Sequence, residues 1–124
     1  MPRVLVVDDD ILLIELLRDW LTELGCEIAG PAQSVDSALG VIAEEGRALD
    51  GAILDLSLGR GDSYPVADAL RARGIPFAFA TGHGVSEVSP RFRDSLIVPK
   101  PFMFRDLKTV VARMLDPSGS HQGA

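Results

Sequence analysis

Short apolar runs rich in β-branched residues alternate along the chain with longer stretches whose apolar residues recur at helical spacing. Arg3–Val7 (Arg-Val-Leu-Val-Val) is a short, nearly continuous apolar run, as a strand buried on both faces requires. A helical pattern follows from about Ile11 to Leu24, with Leu13, Leu17, Trp20, Leu21 and Leu24 on one side, and Gly25 stands where a helix C-terminal glycine belongs. A second strand is expected around Cys26–Gly30, ended by Pro31. Ser34 then reads as an N-cap, with Val35, Leu39 and Ile42 at helical spacing towards Glu45 and Gly46.

Asp50–Leu54 predicts a third strand that delivers Asp55 at its end. The Gly59-Arg60-Gly61 loop leads to a helix from about Ser63 to Arg73, stopped by Gly74. Pro76–Ala80 predicts a fourth strand, Leu96–Val98 a short fifth, and Met103–Leu115 a last helix with Phe104, Leu107, Val111 and Met114 towards the sheet. Between the last two strands the pattern is weaker. Ser89-Pro90 reads as an N-cap with proline at the first helical position, so a short helix is expected near Arg91–Asp94. That leaves 82–88 as a long mobile loop. Residues 117–124 are small and polar and are expected to be a disordered tail after a domain spanning 1–116. Strands alternating with helices imply βαβ units, right-handed crossovers and one parallel sheet covered on both sides.

Composition narrows the class without changing that picture. At 124 residues there is room for one ordinary domain, and the 47% apolar content suffices for its core. The net charge of −6 argues against a nucleic-acid or anionic-membrane surface. Cys26 is the single cysteine, which excludes an internal disulfide and a thiolate metal cluster, and it reads as a small core residue. The first apolar run is too short for a signal peptide or a membrane span, so a cytoplasmic location is expected.

The candidate chemistry lies where an open α/β sheet gathers ligands, at the carboxyl ends of its strands. Asp8, Asp9 and Asp10 follow the first strand, Asp55 the third, Thr81 the fourth and Lys100 the fifth. Each alone has a commoner structural role. One of the three aspartates can cap the first helix, Asp55 can open a turn, Thr81 beside Gly82 suits a turn, and Lys100 between two prolines suits a surface. Four such positions at one sheet edge are harder to explain structurally. Converging carboxylates repel one another and call for a hard divalent cation, for which Mg2+ is suited by its preference for oxygen. A carboxylate beside that ion is a competent nucleophile for phosphoryl transfer, with an ammonium and a hydroxyl for the remaining phosphoryl oxygens.

The runs Val4-Leu5-Val6-Val7-Asp8-Asp9-Asp10 and Ile53-Leu54-Asp55-Leu56, with Ala80-Thr81-Gly82 and Lys100-Pro101-Phe102, resemble the bacterial two-component receiver domain over about residues 3 to 115. The resemblance implies a flavodoxin-like (βα)5 sandwich with a central five-stranded parallel sheet of order 2-1-3-4-5. By it, Asp8 and Asp9 are the acid pair for Mg2+ and Asp55 is the phosphoacceptor. Thr81 is then the switch hydroxyl and Lys100 the phosphate-binding lysine. The Ser57 backbone carbonyl completes the metal site, and the Lys100–Pro101 bond is cis. The implied partners are a histidine kinase or histidine phosphotransfer protein and an unidentified downstream protein. Phosphorylation is expected to bias the face formed by the helical segment before the fifth strand, that strand and the last helix. The expected oligomeric state is a monomer or weak homodimer.

One departure bears on mechanism. Receivers usually carry Tyr or Phe three residues before the lysine, a ring that moves inward on phosphorylation, and here that residue is Ile97. The segment Pro76-Phe77-Ala78-Phe79-Ala80-Thr81-Gly82-His83-Gly84 resembles a receiver subgroup named for its Phe-Ala-Thr-Gly motif, which lacks the aromatic and is often stand-alone. His83 is placed either near the phosphoryl group or on an exposed loop without a role. Two other classes compete. An aspartyl phosphohydrolase commonly has a second Asp two residues after the nucleophile, where this chain has Ser57, and it would turn over small phosphate esters. An interaction module that never becomes phosphorylated would lack the acid pair, the acceptor or the lysine. The expectation is therefore a phosphoacceptor signalling protein, acting as a partner switch or a phosphate sink or shuttle, rather than an enzyme acting on other substrates.

Overall fold

A computed structural model describes residues 1–59, 61–82 and 84–116. Five parallel strands form the sheet: β1 (Arg3–Val7), β2 (Glu27–Ala32), β3 (Gly51–Asp55), β6 (Phe77–Thr81) and β7 (Leu96–Pro99), in the order β2-β1-β3-β6-β7. A two-stranded antiparallel hairpin, β4 (Ser57–Leu58) with β5 (Gly61–Asp62), follows β3. With the hairpin set aside, the order is the 2-1-3-4-5 of the flavodoxin-like receiver fold. The chain forms α1 (Ile11–Glu23), α2 (Val35–Glu45), α3 (Tyr64–Ala72) and α4 (Phe104–Met114).

Alternation along the strands divides the core into two layers. Val4, Val6, Ile53, Ala78 and Ala80 meet Ile14, Leu17 and Leu21 of α1 and Leu107, Val111 and Met114 of α4. Leu5, Val7, Leu54, Phe77 and Phe79 meet Ala38 and Ile42 of α2 and Val66, Ala67 and Leu70 of α3. Both faces are covered, which is why the central strands read as unbroken apolar runs. On the first face Trp20 meets Phe104 edge to face, at 5.6 Å between ring centroids.

Several expectations change. Pro31 does not end the second strand, which runs on to Ala32 through a cis Gly30–Pro31 bond. β2 is an edge strand, so a missing amide proton costs no ladder bond to an outer neighbour, and the pairing with β1 shifts register at this point. The loop expected at Gly59 is the tip of the β4–β5 hairpin. Between β6 and β7 there is no α-helix among the described residues, but two single 3-10 turns, Val85–Glu87 and Pro90–Phe92. In the stretch expected as a mobile loop, Val85–Glu87 forms a turn and Val88 is buried in the core. The Ser89 side chain makes no capping bond, and its backbone amide instead donates to the Tyr64 hydroxyl at 2.7 Å. The expected disordered tail, 117–124, and His83 lie outside the described residues. No helix among the described residues is long and apolar enough to cross a membrane.

Candidate functional site

β1, β3, β6 and β7 run parallel, so their carboxyl ends open on one edge of the sheet. β1 ends at Val7, and the chain must turn to enter α1. Asp10 makes that turn as N-cap, its Oδ1 accepting from the amides of Leu12 at 2.9 Å and Leu13 at 3.4 Å. Of the three consecutive aspartates, Asp10 is thus the structural one, which frees Asp8 and Asp9 for the edge. Asp8 is 1% exposed, its amide donating to the Ala32 carbonyl and its Oδ1 accepting from the Asp10 amide at 2.8 Å. Asp9 is exposed, and its Oδ2 accepts from the Gly59 amide at 3.0 Å, so the hairpin tip orients it.

Asp55 closes β3 half-buried, and one oxygen from each of Asp8, Asp9 and Asp55 lies within 4.8 Å of the others. Lys100 reaches in from the end of β7, its Nζ 3.2 Å from Asp55 Oδ1 and 3.5 Å from Asp8 Oδ2. Three carboxylates thus face one ammonium. Burial pushes the Asp8 carboxyl above the ordinary range, Asp9 adds to the rise, and the Asp10 amide and Lys100 oppose it. Burial likewise raises Asp55, with the Asp8 charge adding and Lys100 opposing. Such an excess of negative charge, on one buried, one half-buried and one exposed carboxylate, suits a hard divalent cation with oxygen ligands, and these residues fit Mg2+ by donor type and spacing.

The remaining predicted residues fall around this cluster. Ser57 opens β4, and its amide lies 3.4 Å from Asp55 Oδ1. Thr81 ends β6, 3% exposed, and its carbonyl accepts from the Lys100 amide at 3.0 Å, which ties the ends of β6 and β7 together. The Lys100–Pro101 bond is cis. Ile97 lies partly buried against the aromatic side of the core. Sequence reasoning missed Glu87, whose Oε1 accepts the Thr81 hydroxyl at 2.8 Å. It missed Tyr64 too, whose ring stacks on Phe92 at 5.3 Å while its hydroxyl holds Ser89. Glu87 carried no local signal. Tyr64 could have been noticed as an aromatic in the first turn of the helix beside the site.

Known proteins share this fold. The family model of the response regulator receiver domain matches residues 4–112. The solution structure of SdrG from Sphingomonas melonis Fr1 superposes with a TM-score of 0.80 at 39% identity, over 93% of this chain and 97% of that one. The BeF3-activated conformation of SdrG, from Pseudomonas melonis Fr1, gives 0.78 at 40% identity, over 91% of this chain and 95% of that one. The transcriptional regulatory protein AruR of Pseudomonas aeruginosa is 38% identical over 74 residues, 58% of this chain but 30% of AruR. The chain thus spans less than a third of that relative's length.

Proposed function

The chain belongs to the response regulator receiver domain family of two-component signalling, and on that premise we propose that Asp55 accepts a phosphoryl group from a phosphohistidine of a partner kinase or phosphotransfer protein. The observation that carries this reading is Lys100 Nζ lying between Asp55 and Asp8 while Asp9 completes a three-carboxylate cluster.

An Asp55 carboxylate oxygen attacks phosphorus, the bond from phosphorus to the donor's imidazole nitrogen breaks, and that nitrogen departs with the electron pair. Little covalent assistance is needed, because such transfers are governed by positioning and by stabilisation of charge on the phosphoryl oxygens. Lys100 is close enough to Asp55 to meet one of those oxygens, as a point charge. Thr81, one strand over from Asp55 in the β3–β6 pairing, is the hydroxyl donor for another. Asp8, Asp9, Asp55 and the Ser57 carbonyl are the protein ligands for Mg2+. When bound, the ion offsets the carboxylate charge and that of the incoming phosphoryl oxygens.

The product is an acyl phosphate on a surface edge, and its added charge alters which partners that edge accepts. With Ile97 in place of the usual ring, the response passes through segment 82–92 rather than through an aromatic on β7. The protein is read as a regulator that works as a single receiver unit, as a partner switch or a phosphate sink or shuttle; in support of the single unit, this chain covers 97% of the SdrG chain. The run Phe79-Ala80-Thr81-Gly82 is the ground for placing it in the Phe-Ala-Thr-Gly subgroup, and the proposed setting is cytoplasmic, as a monomer or weak homodimer. The chemistry is confined to the protein's own phosphorylation and dephosphorylation.

The test is intact mass after incubation with acetyl phosphate and Mg2+, for wild type and Asp55→Ala, with and without chelator. One phosphoryl group gained by the wild type alone, and lost on chelation, is the expected result. If neither acetyl phosphate nor beryllofluoride engages the protein, the phosphoacceptor reading fails. Sustained turnover of a small phosphate ester would favour the hydrolase instead.

A further inference from the structure

The Thr81 hydroxyl is engaged in the unphosphorylated protein. It donates to Glu87 Oε1 at 2.8 Å, a bond strengthened by the carboxylate charge. The turn carrying Glu87 is fixed on both sides. Upstream, the Glu87 amide donates to the Gly84 carbonyl at 3.2 Å, and Gly84 has φ of +76°, a conformation other residues rarely adopt. Downstream, Val88 is buried in the core and its carbonyl accepts from Arg93 Nε at 2.6 Å, while the Ser89 amide donates to the Tyr64 hydroxyl. Arg91 is in turn ion-paired to Asp68 of α3. The Glu87 carboxylate is therefore held over Thr81 by structure on each side of it.

A hydroxyl has one proton to donate. The proton that Thr81 gives to Glu87 cannot at the same time go to a phosphoryl oxygen on Asp55. We propose that Glu87 is a positioning residue that latches Thr81 in the unphosphorylated state, so that the phosphoryl group must displace it before Thr81 can engage. The inference rests on the phosphoacceptor reading of Asp55 and Thr81. Both competitors are anionic acceptors, so the exchange of one charge-assisted bond for another is nearly balanced. A near-balanced pair of states is what a small input can tip. Release frees the Val85–Glu87 turn while the Val88, Ser89 and Arg91 anchors stay in place, which confines the movement to that turn. This chain thereby has a switch that needs no aromatic at Ile97.

The experiment measures beryllofluoride affinity at saturating Mg2+ for wild type, Glu87→Gln and Glu87→Ala, each also in a Thr81→Ala background. Glu87→Ala is expected to bind about tenfold tighter than wild type, the scale of one hydrogen bond to a charged group. Glu87→Gln falls between them, because its amide oxygen still accepts the hydroxyl without the charge. In the Thr81→Ala background the Glu87 substitution has no effect, which a merely structural role or a general charge effect would not produce. Unchanged or weaker affinity in Glu87→Ala, or the same tightening in both backgrounds, overturns the latch. A wild type that binds no beryllofluoride brings down the phosphoacceptor reading, and the latch with it.

Discussion

The Lys100 ammonium stands 3.2 Å from Asp55, joining the ends of two strands that are separated in the sheet by β6. Its side chain is 23% exposed and that of Asp55 12%, so this ion pair is partly shielded from water and differs from an ordinary surface pair. Lys100→Ala leaves Asp8 and Asp55 facing each other without a cation. In chelator at neutral pH, urea denaturation should give a stability lower by about 1–3 kcal/mol, the cost of stranding a buried charged group. Adding Asp8→Asn should recover part of the loss. No recovery would mean that the lysine acts through its packing on Phe102.

Mg2+ should stabilise the protein. A ligand that binds only the folded state at about a hundredfold excess over its Kd contributes about 2.7 kcal/mol, visible as a rise in Tm. Asp8→Asn and Asp9→Asn should abolish or blunt that rise. In chelator Asp8→Asn should be more stable than wild type, since the burial that raises the Asp8 carboxyl disfavours its charged form. A metal-dependent rise of equal size in all three proteins would remove these residues from the ligand set.

The Arg3–Glu45 pair supplies a pH signature away from the site. Arg3 Nε donates to Glu45 Oε1 at 2.7 Å, joining the start of β1 to the end of α2. That bond holds the Glu45 carboxyl below its ordinary value. A depressed folded value gives stability that is present above the unfolded pKa and lost as pH falls through the folded one. Wild type should therefore exceed Glu45→Gln in stability at neutral pH, the gap closing as the solution is acidified. A pH-independent gap would assign the difference to packing.

Phe92 anchors the segment between β6 and β7. It is fully buried, stacked on Tyr64, and flanked by the guanidinium groups of Arg71 at 4.5 Å and Arg91 at 4.3 Å. Phe92→Ala should cost about 3–5 kcal/mol, as large aromatic truncations in a core do. Amide exchange should quicken first in 84–92, because the anchors at Ser89 and Arg91 share this cluster. Uniform acceleration across the sheet would make Phe92 an ordinary core residue.

The five strands of the sheet were readable because covering both faces forces near-continuous apolar runs such as Arg3–Val7 and Phe77–Thr81. The helices were readable from spacing and punctuation, with Ser34 ahead of α2 and Gly25 after α1. Pro31 misled because its effect depends on whether the strand has an outer neighbour, which is a matter of sheet order. The hairpin at β4–β5 escaped because two-residue strands have no period to detect.

By itself the sequence determined the alternation of strands and helices, and with it the placing of Asp8, Asp9, Asp55, Thr81 and Lys100 at strand ends. It did so because periodicity and strand termination are local properties of the chain. The residue pattern left open which aspartate caps α1, and although the family resemblance pointed to Asp8 and Asp9 for the acid pair, only the tertiary structure put Asp10 on the cap, since that depends on where the chain turns out of β1. Only the structure, too, brought Glu87 onto Thr81. That contact follows from the intervening backbone and from anchors on α3, and no spacing rule encodes it.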